Sequence, residues 1–250
     1  MTALILLPPS KTTAPGGDRA PLDPDAGPLG APRRAVVDAY LALTGDEAAF
    51  GTAVDAQGDV LDAALIEARE LLDAPTAPAG ARYTGLLHEA AGWSAMRAAA
   101  RRRYAGHVRV LSGLLGVTRP DEAIPSYRLP MGARLDGLGP LGAFWRPHVT
   151  AALEAEAGDD LVWDLCSAEY QRAIDPRSTL RRVVVRFERP DGRAAPSAIG
   201  KQAKGRLAAH LAAVGPGDLG AVEDADVLGH RFVELREDGP RPVVVLREGA

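Results

Sequence analysis

The chain has one cysteine and three lysines among its 250 residues, and no apolar run long enough to span a bilayer. A lone thiol, Cys166, closes no internal disulfide and fits a reducing compartment. No apolar stretch approaches the ~18 residues that a membrane helix needs. The opening MTALILLPPSK has five apolar residues before a double proline, and no basic stretch ahead of them. That is too short for a secretory signal, so a cytoplasmic protein without membrane contact is expected. Metal and nucleotide signatures are missing too. The five histidines show no HExxH or paired-ligand spacing. There is no GxSxG and no Walker sequence. Neither a metal nor a cofactor is expected.

What is present fits an ordinary globular protein. With 46% hydrophobic and 25% charged positions, disordered, collagenous and low-complexity classes are excluded. A chain of this length buries roughly 70–75% of its unfolded surface, enough for a core without staples. Net charge is −4, which speaks against a simple polybasic nucleic-acid binder. Its distribution is uneven. Residues 12–75 carry twelve acids and four arginines, whereas residues 76–214 carry thirteen acids and twenty bases. A basic centre between acidic flanks permits an anionic partner.

The lysines are informative because they are few. Of 29 basic residues only Lys11, Lys201 and Lys204 are lysine, the other 26 being arginine. Such a composition replaces lysine by arginine wherever a surface charge suffices. The survivors then mark places that need a compact ammonium on a flexible stem. Two of them lie three residues apart, on one face of a helix.

Apolar periodicity gives an α/β reading with a mixed sheet flanked by helices, as a single domain over 1–250. ALILL (3–7), LVWDL (161–165) and Arg181 to Phe187 read as buried strands, and VRVLSGLLGV (108–117) starts as one. Residues 230–235 and 242–246 suggest an antiparallel hairpin across Gly239-Pro240. Helices are expected at 33–43, 59–73, 90–104, 140–156, 167–174 and 197–214, the last with Ile199, Ala203, Leu207 and Leu211 toward the core. Residues 12–32 read as a long loop, and 127–135 as extended.

Gly137-x-Gly139-x-x-Gly142 matches the dinucleotide fingerprint, but Pro140 removes one of the amides it needs. In a chain with 27 glycines this is a chance match. Cys166 reads as a small packed hydrophobe. Three clusters remain: Pro9-Ser10-Lys11 at a strand end, Ser126-Tyr127-Arg128 with Met131-Gly132, and Ser167-x-Glu169-Tyr170 past another strand end. Each alone fits a solvated face or a helix cap, Ser167 being a good N-cap.

Taken together, LLPPSKT (6–12), YTGL (83–86), VRVLSGLLGVTRPDEAIPSYRLPMGARL (108–135), AFW (143–145), DLCSAEY (164–170) and KQAKGR (201–206) resemble the YaaA peroxide-stress family. All three lysines fall inside these motifs. The resemblance implies a compact α/β domain with a positively charged cleft and a helix-hairpin-helix-like element. It also implies binding of DNA, double-stranded or branched, and a role in limiting free iron and oxidative DNA damage. Carried over, the hairpin is Ser112 to Gly116, with Gly113 and Gly116 presenting amides to phosphate. Cleft residues are Lys11, Arg128, Glu169, Tyr170, Lys201 and Lys204, with Tyr127 and Arg206 joining the anion-binding set. Cys166 stands where relatives commonly carry alanine. An alternative keeps the same cleft for an enzyme acting on a nucleotide or nucleobase-like molecule. There Lys11 holds an anion while Glu169 and Tyr170 exchange protons. On either reading Lys11, Arg128, Glu169 and Lys201 converge.

Overall fold

In the computed structural model, residues 2–237, 239 and 241–249 are described. Four residues, Leu4–Leu7, form β1, and all four are fully buried. A strand covered on both faces reads as an unbroken apolar run. Pro8 and Pro9 end it, since neither carries a donor for the ladder. Strands β2 (Val108–Ser112) and β4 (Leu161–Asp164) pair with β1 in parallel on its two sides. Strand β3 (Gly116–Thr118) folds back antiparallel on β2. Beyond β4 lie β5 (Arg181–Glu188), β7 (Val243–Glu248) and the edge strand β6 (His230–Arg236). The seven-stranded order is β6-β7-β5-β4-β1-β2-β3. The mixed sheet is as expected, including the antiparallel β6–β7 pair; Pro240, between them, lies outside the described residues.

This order has one functional consequence. The chain leaves β1 toward β2, whereas β4, on the other side of β1, continues outward to β5. Loops departing in opposite directions open a crevice at the carboxyl ends of β1 and β4, the usual ligand position in open α/β sheets.

Helices α1 (Gly30–Ala42), α2 (Glu47–Val54) and α3 (Asp59–Arg69) come from the acidic segment, and they bury Val36, Val37, Tyr40, Phe50, Val54 and Leu65. That segment is part of the core. The helix expected over 90–104 is instead two: α4 (Leu86–Ala91), stopped by the left-handed Gly92 at φ +76°, and α5 (Ala98–His107). Helix α6 (Leu141–Ala157) and the short α7 (Ala168–Gln171) follow. Helix α8 (Ser197–Val214) buries Ala203, Leu207 and Leu211 as expected, but Ile199 is exposed in its first turn. Residues 127–135 form no long strand; only Arg134–Leu135 pair, with Gly139–Pro140. Gly137 and Gly139, both left-handed, belong to that small turn, not to a strand-to-helix phosphate loop.

The helix-hairpin-helix expectation for Ser112 to Gly116 is not met. This segment is the turn between strands β2 and β3, and all five residues are buried. Gly113 lies against the Leu129 carbonyl, so a Cβ there would collide with backbone. Gly116 has φ +78°, and an added Cβ would sit 2.7 Å from the Trp145 ring. Both glycines serve close packing in the interior.

Candidate functional site

The crevice at the switch point is a cavity of about 600 Å³. The β1 loop supplies Pro8 to Thr12, and the β4 loop and α7 supply Ser167, Glu169 and Tyr170. Thr84 to His88 close one side, and the first turns of α8 close the other with Ser197, Gly200, Lys201 and Lys204. Every lysine of the protein therefore lines one cavity.

The three ammonium groups differ in setting. Lys11 is exposed and lies 2.7 Å from Asp55 Oδ2, at the corner between α2 and α3. Lys201 is exposed on α8. Lys204 is half-buried and donates to the Cys166 carbonyl at 3.3 Å. Burial lowers the Lys204 pKa, and Cys166 and Asp164 oppose that shift. Glu169 Oε1 accepts from the Gly132 backbone at 2.8 Å, which fixes its carboxylate at the cavity wall. Tyr170, only 8% exposed, is pushed above the ordinary phenol range by burial.

Hydroxyls hold the floor of the β1 loop. Ser10 Oγ accepts from the Thr12 amide at 3.1 Å, and Thr84 Oγ1 donates to Thr12 Oγ1 at 3.0 Å. His88 lies behind them, with its Nε2 3.0 Å from the Pro8 carbonyl. Burial lowers its pKa to about 4, so the ring is neutral at pH 7 and Nε2–H donates. YTGL (83–86) has no role that its sequence alone reveals. It supplies Thr84, Gly85 and Leu86 to this wall. His88 was missed altogether, because no spacing rule ties it to residue 8.

Five carried-over residues lie outside the cavity lining. Arg128 reaches the edge of the site but spends its guanidinium on backbone: Nε donates to Val54 O (3.0 Å), Nη1 to Lys11 O (3.2 Å) and Nη2 to Asp55 O (2.9 Å). It is a clamp that holds the Lys11 loop to the α2–α3 corner. Tyr127 is buried in the core, its hydroxyl bonded to Tyr83 (2.7 Å) and Ser112 (2.6 Å). Gly113 and Gly116 are interior, as described above. Arg206 is exposed on α8, away from the cavity lining. Lys11, Glu169, Tyr170, Lys201 and Lys204 are thus brought together, while Tyr127, Gly113 and Gly116 are not.

Cys166 is a free, buried thiol. Burial and the neighbouring Asp164 raise its pKa, so it is a packed residue and not a nucleophile at neutral pH. Among the described residues no three His, Cys, Asp or Glu side chains form a metal-holding group. No described helix is long and apolar enough to cross a membrane.

A sequence model of the family described as "Peroxide stress protein YaaA" matches residues 3–236. The chain belongs to the YaaA peroxide stress protein family. A UPF0246 protein of Streptomyces coelicolor is 37% identical over 95% of this chain and 93% of its own. A UPF0246 protein of Corynebacterium efficiens is 35% identical over 68% of each chain. One from Ruegeria pomeroyi is 31% identical over 66% of this chain and 69% of its own. The match spans the β1 loop, β4, α7 and α8, so every element that builds the cavity lies within the YaaA region.

Proposed function

We propose that this YaaA protein serves the peroxide response by binding DNA phosphate at the lysine-lined cleft, limiting iron-driven oxidative damage to DNA. One observation carries this: in a protein with 26 arginines, the only three lysines line a single cavity. Three ammonium groups gathered from residues 11, 201 and 204 fit an anionic ligand, since together they repel one another. The outer surface supports a polyanion. Outside the cavity, helices α5 and α8, which pack together, add Arg101, Arg102, Arg103 and Arg206 and carry no Asp or Glu.

A second reading, an enzyme acting on a nucleotide-like molecule, rests on Glu169. A phosphate clamp gains nothing from a fixed carboxylate, whereas acid–base chemistry uses one. A duplex titration at several salt concentrations separates the two. If DNA is the ligand, affinity falls as a power of salt, and Lys201→Ala and Lys204→Ala each make that dependence shallower by about one unit of slope. For fully paired duplex, Glu169→Ala leaves affinity unchanged or slightly higher. An enzyme gives the inverse, with Glu169→Ala severe for turnover. A wild type that binds no DNA at low salt overturns the DNA reading.

A further inference from the structure

Resting on the DNA reading, we infer that the cleft receives DNA as a single unpaired nucleotide, extruded or from a strand end, and not as intact duplex. Size is the first reason. A cavity of about 600 Å³ is a small-ligand volume, the size of one nucleotide and not of a duplex. Depth is the second. Lys204 is half-buried beside the Cys166 carbonyl, and Tyr170 is 8% exposed. A phosphate carried in on a single nucleotide approaches them more closely than one held on the outside of a duplex.

The distribution of chemistry is the third. Pro8, Pro9, Leu86 and Leu87 make an apolar wall, which suits the face of a base. The lysines of the same cavity meet the phosphate. Glu169, held through Oε1 by the Gly132 amide, offers an acceptor that a phosphate would avoid and that a base amino or imino group would use. Apolar, cationic and carboxylate surfaces in one small cavity match the parts of a nucleotide. Extrusion costs a few kcal/mol of unstacking and unpairing, least where the base is mismatched or damaged. The site therefore selects distorted DNA.

Gly200 gives a clean steric test. It lines the cleft on α8, and an added Cβ there meets nothing within 4 Å. Gly200→Trp fills the cavity without touching a charge, and Gly200→Ala controls for the backbone. The full-length protein is titrated with duplexes carrying 2-aminopurine, paired or mismatched, and with deoxyadenosine monophosphate. The expected result is about tenfold tighter binding of the mismatched duplex with a rise in 2-aminopurine fluorescence. Gly200→Trp removes both, while Gly200→Ala keeps them. Equal affinities without a fluorescence change overturn the inference and leave the DNA reading standing. A mismatch preference that survives Gly200→Trp also overturns it, because the nucleotide then sits elsewhere. Monophosphate binding blocked by Gly200→Trp, with no DNA binding, keeps the nucleotide site and overturns the DNA reading. If neither ligand binds, both fall.

Discussion

Arg128 shows how a residue type alone misleads. An arginine in a basic motif reads as a fork for an anion, yet its three bonding nitrogens are each aimed at a main-chain carbonyl. Lysine retains the charge but cannot match three acceptors in a plane. Arg128→Lys is expected to lose about 1–3 kcal/mol of stability in denaturant unfolding, with faster amide exchange near residues 11 and 55. A variant of wild-type stability whose DNA affinity collapses would make Arg128 a ligand contact after all. His88 is the second case. Its folded pKa of about 4 lies below the ordinary 6.5, so the unfolded chain binds the proton more readily between those values. Full stability is present above pH 6.5 and falls as pH drops toward 4, by roughly 3 kcal/mol in total. His88→Gln, which keeps a donor for the Pro8 carbonyl, should flatten that part of the pH–stability curve. An unchanged curve assigns the acid sensitivity to other groups.

Elements were legible where periodicity is strong and local. Leu4–Leu7 and Leu161–Asp164 read as buried strands, and Ser197–Val214 as a helix, because neighbouring side chains alone decide them. The break at Gly92 was not legible, since an apolar stripe continues through it and only the left-handed backbone stops the helix. Nor was the irregular course of 125–133, where side chains such as Glu169 and Tyr40 bond the backbone from far along the chain. The same limit governs two glycines of α8. Both cost helix propensity, and sequence cannot tell them apart. Gly205 presses against α4, where a Cβ would strike the Leu87 carbonyl, whereas Gly200 faces open space. Gly200→Ala is expected to gain up to about 1 kcal/mol. Gly205→Ala should lose about 1–3 kcal/mol, because the two helices must separate. Thermal unfolding of the pair decides it, and equal stability of the two variants would refute the close packing of α4 on α8.

Across the whole molecule, charge that is far apart in sequence is brought into opposition at one point. Strand order cannot be read from a single sequence, so the expected convergence of residues 11, 128, 169 and 201 rests on motifs; the switch point between β1 and β4 explains physically why 11, 169 and 201 meet, with Arg128 held at the edge by backbone carbonyls. The acidic segment 12–75 reaches the same cleft through Asp55, which occupies Lys11 at 2.7 Å. Both side chains are largely exposed, so the pair adds little to stability. Its effect is on binding. An anion that uses Lys11 must first displace this carboxylate, and fewer counterions are released when it does. Asp55→Asn is therefore expected to leave the unfolding midpoint nearly unchanged, to raise DNA affinity at low salt, and to steepen the salt dependence by up to about one unit of slope. A titration in the Lys11→Ala background decides the cause. There Asp55→Asn should have no further effect, because the competitor has lost the group it covers. An equal gain in both backgrounds would mean that Asp55 acts only through the general field of the acidic segment, and that Lys11 is not part of the anion site.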